Sequence, residues 1–547
     1  MFIERGLKLA RQNQFLGMII PNTWLSNLYS HQIREHIFNN VEVLTVVHYQ
    51  QPVFPNVSVD TEIVIFSNRS PFSEHFIQIC IIEKANCVEE YSIPQKKWQD
   101  KRGEPVNIFE RPEYTAVTSK IISLPTLGEL CVITQGAKPF QVGKGTPPQT
   151  RKIVNNKPYV SEIKQDKTFR PLLRGSLIER YQINWNQNYW ISFGDWLAEP
   201  RYSANHDAPS KIVIRQTGDS LVAALDNEQL IVRDNLYTIV PKKQNIDLCY
   251  ILALLNSSLL NWIYRKVINP EEGEAFAQVK RAHLTRLPIV NPTSLTVEND
   301  KFLTEFRSHF QISIQEDSLT LIIRFLEELQ QAQQDNSLKI IQNSLAWVAQ
   351  QMIALNKMSR QLVQRTDLFS IVDREINTVE FEEVFDLDRA ISNIESVYHD
   401  IEGLQLNQEL DGHWLLEIQV KLRNPESNWR DFQRDVEGNL IRQWLPAFRL
   451  GLDEKVGWFY HYVFANLDGF TATGNFPGGY TRTTYEKLMA TKVPKHVPVD
   501  LTPLVEAEAE LAETRRKIEL TDKLIDQIAY KLYGLTDDEI AIVEGRV

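Results

Sequence analysis

The first seventy residues place two apolar runs, a helical segment and a proline-braced turn in an order that fits one half of an open α/β sheet. Leu16-Gly17-Met18-Ile19-Ile20 is a short apolar run ended by Pro21, and Val41 to Tyr49 forms a second. Between them, His31 to Asn40 has helical character. Gln51-Pro52-Val53-Phe54-Pro55 then leads towards Glu62-Ile63-Val64-Ile65-Phe66, whose nearly continuous apolar character suits a strand in the middle of a sheet. An aromatic ring in a turn braced by prolines is a ring held for stacking on a flat partner, which makes Phe54 a candidate site residue. Asn22 and Trp24 follow the first strand at its carboxyl end, where open α/β sheets bind ligands. Capping the next helix is the competing role for Asn22. Asp60 and Glu62 receive no catalytic role, and a carboxylate buried on that strand needs a partner.

A chain of 547 residues is too long for one hydrophobic core, so three or four domains are expected. Residues 1–85 read as the half-sheet and 86–126 as a polar, irregular connector. Residues 127–292 form a new unit of short strand-like runs, among them 189–193, 211–215 and 221–225, with one apolar helix from Asp247 to Val267. From 293 to 500 the pattern is mostly helical, with apolar residues three and four apart in 302–314, 318–334 and 338–364. A mixed stretch follows, including Trp414 to Val420 and the glycine-rich 473–480. Residues 501–547 are a long helix over 504–532 and a tail, with Asp500 or Thr502 as cap and Gly534 as a left-handed stop. The fold class is therefore α/β: a partial Rossmann-like sheet, an α+β unit, then a mostly helical region.

Charge is distributed unevenly. The net charge is −11, yet residues 120–292 carry 22 basic and 15 acidic groups, whereas residues 293–547 carry 26 and 42. Affinity for a polyphosphate comes from Lys and Arg displacing counterions, so the middle unit is the one expected to face nucleic acid. Cys80, Cys87, Cys131 and Cys249 have neither a C-x-x-C pair nor zinc spacing, and read as reduced thiols of a cytoplasmic protein. No apolar run approaches the roughly 20 residues that span a bilayer.

The residues Leu16 to Leu25, followed by the Val53-Phe54 turn and the strand to Phe66, resemble the carboxy-terminal half of the catalytic domain in Eco57I/TaqI-like adenine-N6 DNA methyltransferases, including the type IIG restriction-modification enzymes. Four further landmarks, in order, resemble the TaqI-like specificity domain: Phe169-Arg170-Pro171-Leu172-Leu173-Arg174-Gly175, Arg233-Asp234-Asn235-Leu236-Tyr237, Leu252 to Ser257, and Leu284-Thr285-Arg286-Leu287-Pro288-Ile289. The resemblance implies S-adenosylmethionine as cofactor of the intact enzyme, double-stranded DNA as substrate, and a flipped adenine stacked on Phe54. It also implies an Asn-Pro-Pro-aromatic loop, which occurs nowhere in the 547 residues; Asn269-Pro270-Glu271 and Asn291-Pro292-Thr293 lack the second proline. The expectation is a chain that needs an upstream methyltransferase half, on the same gene or a partner chain, and does not bind the cofactor alone.

For DNA, Lys138, Lys144, Arg151 and Lys152 lie in a Gly/Pro-rich loop, Arg170 and Arg174 flank a turn, and Arg201, Lys211 and Arg215 border later strands. Such loops on a rigid scaffold carry phosphate contacts and base-edge readers. Other apparent motifs fail on spacing. Gly143-Lys144-Gly145 has Gly145 where a phosphate loop needs Ser or Thr, and Asp411, Glu417 and Lys421 miss the nuclease pattern. Three functions compete: the carboxy-terminal part of a DNA methyltransferase, a stand-alone DNA specificity subunit without catalysis, and a decayed gene product. The half-sheet favours the first, since a pure specificity subunit has no use for Phe54 and its strand.

Overall fold

The computed structural model describes residues 2–49, 53–54, 61–83, 86–104, 106–109, 111–121, 123–269, 278–291, 301–331, 337–366, 378–385, 387, 389–423, 432–436, 438–465 and 481–546. Asp60 and the glycine-rich stretch 473–480 lie outside them. The chain divides into two compact units, one of residues 1–356 with 518–547, the other of residues 357–517. Among the described residues no helix is long and apolar enough to cross a membrane.

The first unit opens with helix α1 (Phe2–Leu9) and strand β1 (Phe15–Pro21), followed by α2 (Thr23–Ser26), α3 (His31–Asn40), β2 (Glu42–Tyr49), β3 (Thr61–Ser67), β4 (Phe76–Glu83), β5 (Asn86–Pro94) and α4 (Gln95–Gln99). The strands form one sheet in the order β1-β3-β2-β4-β5. β3 runs antiparallel to both β1 and β2, so β1 and β2 point the same way, and β4 is parallel to β2. The apolar run of β3 lies where its sequence demands, between two strands, with Val64 and Phe66 fully buried. Val43, Val46, Ile77, Ile79 and Ile81 complete this core with Phe38 from α3 and Trp98 from α4.

The segment from 86 onward departs from the irregular connector expected of it. β5 pairs antiparallel with β4, and Thr115–Ile121 is helical. Its polarity misleads because β5 is an edge strand: Glu90 is exposed while Ile93 is buried.

The next segment contains β6 (Cys131–Gln135), β7 (Val160–Ser161), β8 (Phe169–Leu173), β9 (Ile178–Glu179), β10 (Gln182–Ile183), β11 (Trp190–Ser192), β12 (Lys211–Arg215), β13 (Ala223–Asp226), β14 (Ile231–Val232) and β15 (Leu236–Pro241). They make two four-stranded sheets, β13-β12-β15-β6 and β14-β8-β11-β7, and the β10-β9 hairpin. The single helix expected over 247–267 is two helices, Leu248–Asn256 and Ser258–Ile263, with a π-turn over Tyr264–Ile268. Ser257 makes the break: its backbone is extended (ψ 152°), and its side chain accepts from the Leu260 amide to cap the second helix. Helices Lys301–Glu316, Thr320–Gln331 and Ser337–Arg365 follow as their periodicity indicates, the last belonging to this unit as far as Asn356. Phe306, Ile341 and Leu345 share a core with Leu252, Leu260, Leu524 and Ile528, the last two from helix Thr502–Leu532. That helix stops as expected at Gly534, whose φ is +65°.

In the second unit the helical pattern is interrupted by β16 (Thr378–Glu380), β17 (Asp400–Gln408), β18 (Trp414–Lys421), β19 (Arg442–Leu450) and β20 (Lys492–Pro494). β17-β18-β19 is an antiparallel meander with alternating burial along β18, and Trp414 lies fully buried on its inner face. Helix Glu454–Ala465 approaches closely enough that a Cβ on Gly457 would lie 2.1 Å from the Trp414 ring, so only glycine fits there.

Candidate nucleic-acid interface

The carboxyl ends of β1 and β2 and the start of β3 open into a cavity of about 980 Å³. Asn22, His48 and Glu62 line it from the sheet, and Lys97, Lys101 and Phe109 from the segment after β5. Ile268, Asn269, Lys280, His283 and Arg286 line it from the segment after the π-turn. Among the described lining residues, Lys97, Lys101, Lys280 and Arg286 outnumber the carboxylate of Glu62, a balance that favours an anionic ligand. Burial, with Lys280 and Arg286 nearby, pushes His283 down to about 4, so it adds no charge at neutral pH.

Asn22 does not cap the helix after β1, because its side chain makes no cap hydrogen bond. Asn27 instead caps the following 3-10 turn, Leu28–Ser30, accepting from the Tyr29 amide. Asn22 instead lines the cavity. Glu62 has the partner its burial requires: Trp24 Nε1–H donates to its Oε2 at 2.7 Å. That link joins residues 38 apart and had no local signal in the sequence. Phe54 stands outside the hydrophobic core, 45 % exposed. Residues 50–52 and 55–60 on either side of it lie outside the described residues.

The nine basic candidates separate into distinct environments. Lys144, Arg151, Lys152 and Arg174 are exposed, and the Arg174 guanidinium lies 4.6 Å from the Tyr189 ring centroid. Lys138 donates to Gln141 Oε1 at 2.7 Å. Arg170 is paired with Asp207 at 2.7 Å and Arg201 with Glu199 at 2.6 Å, which neutralises both locally. Arg215 is half-buried at the end of β12, with its Nε buried and unbonded. Lys211 must be withdrawn: it is 0 % exposed and forms an ion pair with Asp226 at 2.8 Å, so its charge never reaches a ligand. Arg281 is one cation missed from the sequence, lining a second cavity of about 320 Å³ with Gln135, Arg201 and Tyr202. It was missed because the sequence does not show that residues 135, 201 and 281 meet.

Burial raises the thiols of Cys80, Cys131 and Cys249 to about 12, which keeps them protonated and unreactive at neutral pH. Among the described residues no cluster of three or more metal-ligating side chains occurs.

Residues 170–289 match the TaqI-like C-terminal specificity domain, and residues 1–54 match the Eco57I restriction-modification methylase. Two segments of the chain thus match the Eco57I/TaqI-like restriction-modification methylases. Five of the basic candidates, from Arg170 to Arg215, fall inside the specificity domain, and Phe54 is the last residue of the methylase match. A curated relative from Methanocaldococcus jannaschii, a putative type II restriction enzyme and methyltransferase, is 24 % identical over 309 residues, or 54 % of this chain and 25 % of the relative. The chain thus matches about a quarter of that relative's length. Solved structures are more distant. The type IIL restriction-modification enzyme MmeI in complex with DNA is 12 % identical over 61 % of this chain and 46 % of its own, with a TM-score of 0.31. The type IIG restriction endonuclease BpuSI is 10 % identical over 63 % of this chain and 48 % of its own, with a TM-score of 0.26.

Proposed function

We propose that this chain is the DNA-recognising and base-holding part of a site-specific DNA adenine-N6 methyltransferase of a restriction-modification system, acting in the cytoplasm. One observation carries the reading: the methylase-matched and specificity-matched segments line the same 980 Å³ cavity, the first through Asn22, Leu25 and His48, the second through Asn269, Lys280 and Arg286. A specificity subunit without catalysis would have no need of the first wall.

In this reading the exposed Lys144, Arg151, Lys152 and Arg174 bind phosphates, with Lys138, Arg170, Arg201 and Arg215 at their margin. Phe54 stacks on an adenine turned out of the duplex, whose amine must be held still to act as a nucleophile. The turns after β1, β2 and β4 contain no glycine, so they do not fit the glycine-rich strand-to-helix turn that cradles a nucleotide cofactor. S-adenosylmethionine therefore belongs to the intact enzyme and is held by another methyltransferase segment, on the same gene product or a separate chain. β1 offers the docking edge for that segment: among the described residues it pairs only with β3, and it exposes Phe15 and Ile19.

Two measurements test this. Four phosphate contacts imply a log–log salt slope of roughly −3.6 for duplex binding, or about a 150-fold loss of affinity between 50 and 200 mM salt; a slope near zero refutes the DNA assignment. In enzyme reconstituted with the other half, Phe54→Ala should slow methylation by about 5- to 150-fold, the worth of one base stack, at unchanged duplex affinity. Equal losses of rate and affinity would give Phe54 a packing role instead.

A further inference from the structure

The 320 Å³ cavity opens at one end of the sheet β13-β12-β15-β6, where β6 finishes at Gln135 and β15 has just begun at Tyr237, the two residues being direct strand partners. The amide of Gln135 is fixed there. Its Nε2 donates to the Asp234 carbonyl at 2.7 Å and to Gln216 Oε1 at 3.2 Å. A carbonyl only accepts, so the nitrogen must face Asp234, and the atom left for a ligand is the acceptor Oε1, which receives no hydrogen bond among the described residues. Arg201 lines the same cavity and is held on three sides: Nε and Nη2 donate to Glu199 Oε2 at 2.9 and 2.6 Å, and Nη1 to the Gly136 carbonyl at 3.0 Å. Its backbone is left-handed at φ +47°, a conformation that costs free energy outside glycine and is therefore imposed by these bonds. Arg281 is the contrast. It lines the cavity, is exposed, and has no carboxylate partner among the described residues.

The cavity thus offers a ligand one fixed acceptor and one uncommitted set of planar donors. In the major groove a G·C pair presents the complement, the N7 and O6 acceptors of guanine beside the N4 amine of cytosine, and arginine pairs with guanine there through both acceptors. The place in the fold suits base reading as well. Helix Arg281–Leu284 borders both cavities, with Arg281 on the smaller and His283 on the larger. Asn235 ties the same sheet end to the exposed Arg174: its Oδ1 accepts from the Gly175 amide at 3.4 Å, and its carbonyl from the Gln216 amide at 3.0 Å. The turn that carries a proposed phosphate contact is therefore bonded to the sheet end that carries the cavity. We propose that Arg281 and Gln135 are specificity-determining residues that read one G·C pair of the recognition site, Arg281 donating to guanine O6 and N7 and Gln135 Oε1 accepting from cytosine N4. The inference deepens the DNA-recognition reading and rests on it.

The test selects a randomised duplex library on the full chain and sequences what is bound. Wild type should enrich a motif with a G·C position whose preference Arg281→Ala erases, a loss of about 5- to 150-fold in discrimination, while the other positions keep theirs. Gln135→Met, which keeps the length and removes the acceptor, should relax the same position. Replacing that guanine by 7-deazaguanine, which lacks the N7 acceptor, should weaken binding by wild type but not by Arg281→Ala. Arg174→Ala is the comparison: it should lower affinity for every sequence alike and leave the motif intact, as the loss of a phosphate contact does. An unchanged motif in Arg281→Ala, a preference lost at an A·T position, or uniform weakening with a shallower salt slope would each overturn the proposal and leave DNA recognition standing. Relaxation of a different position in Gln135→Met overturns it too; where that variant does not fold, the Arg281 and 7-deazaguanine results decide. A wild-type chain that binds no duplex, or all duplexes alike, sinks the DNA-recognition reading and this inference with it.

Discussion

Lys211→Ala should cost about 3–5 kcal/mol of unfolding free energy, more than any exposed arginine in the same domain would. Lys211 and Asp226 face each other across β12 and β13, both buried, with Lys211 Nζ 2.8 Å from Asp226 Oδ2. Lys211 Nζ also donates to the His206 carbonyl at 3.2 Å. Asp226 accepts from the Glu228 amide at 2.7 Å and the Leu230 amide at 3.0 Å, which ties the turn after β13 to the strand. Removing the ammonium leaves a carboxylate buried without its counter-charge, and it is this orphaned charge that sets the size of the loss. Lys211→Met should lose nearly as much despite restoring the volume, whereas Arg174→Ala should leave stability within about 0.5 kcal/mol and weaken only DNA binding. Urea unfolding monitored by tryptophan fluorescence makes the comparison. A loss below about 1 kcal/mol for Lys211→Ala would show that the pair is more hydrated than its burial implies.

That contrast marks how far the chain can be read from its letters. Both residues are cations next to apolar runs, and nothing within five residues of either tells a buried ion pair from an exposed stacked guanidinium. The decisive partners, Asp226 for one and Tyr189 for the other, lie 15 residues away and are brought close only by strand pairing. Elements whose periodicity matches their burial were legible. α3 begins and ends where the sequence places it, and the unbroken apolar run of β3 does sit between two strands. β5 was hidden because its outer face is polar. The break at Ser257 was hidden for the opposite reason, since the helices on both sides are almost wholly buried and leave no amphipathic stripe to interrupt. At the candidate site, Phe54 is singled out by its prolines, while the Trp24–Glu62 bond emerges only from the fold.

Asp526→Asn should make the first unit more stable than wild type at pH 7.5, but not at pH 4. Asp526 lies on helix Thr502–Leu532, and its carboxylate accepts from the Ser258 amide and the Ser258 hydroxyl, each at 2.7 Å, at the start of helix Ser258–Ile263. Burial pushes it up from the ordinary 3.8 to about 6; Asp522 adds to the rise, and the Ser258 bonds and Arg180 oppose it. The other ionisable groups around it are Tyr181 and Tyr530, and both phenols are raised far enough by burial to remain neutral. Because the folded value exceeds the unfolded one, the contribution of the protonated acid is complete below pH 3.8 and is lost as pH rises through 6. A rise of about two units corresponds to about 3 kcal/mol between those limits. Asparagine keeps a carbonyl oxygen for the Ser258 amide and cannot ionise, so the difference between variant and wild type should grow across this window and level off above pH 7. Urea unfolding at pH 4.5, 6 and 7.5 measures it. A difference that stays constant across the three would mean that Asp526 is as well solvated in the folded chain as in the unfolded one, and that its bonds to Ser258, not its charge, determine how the terminal helix holds the specificity domain.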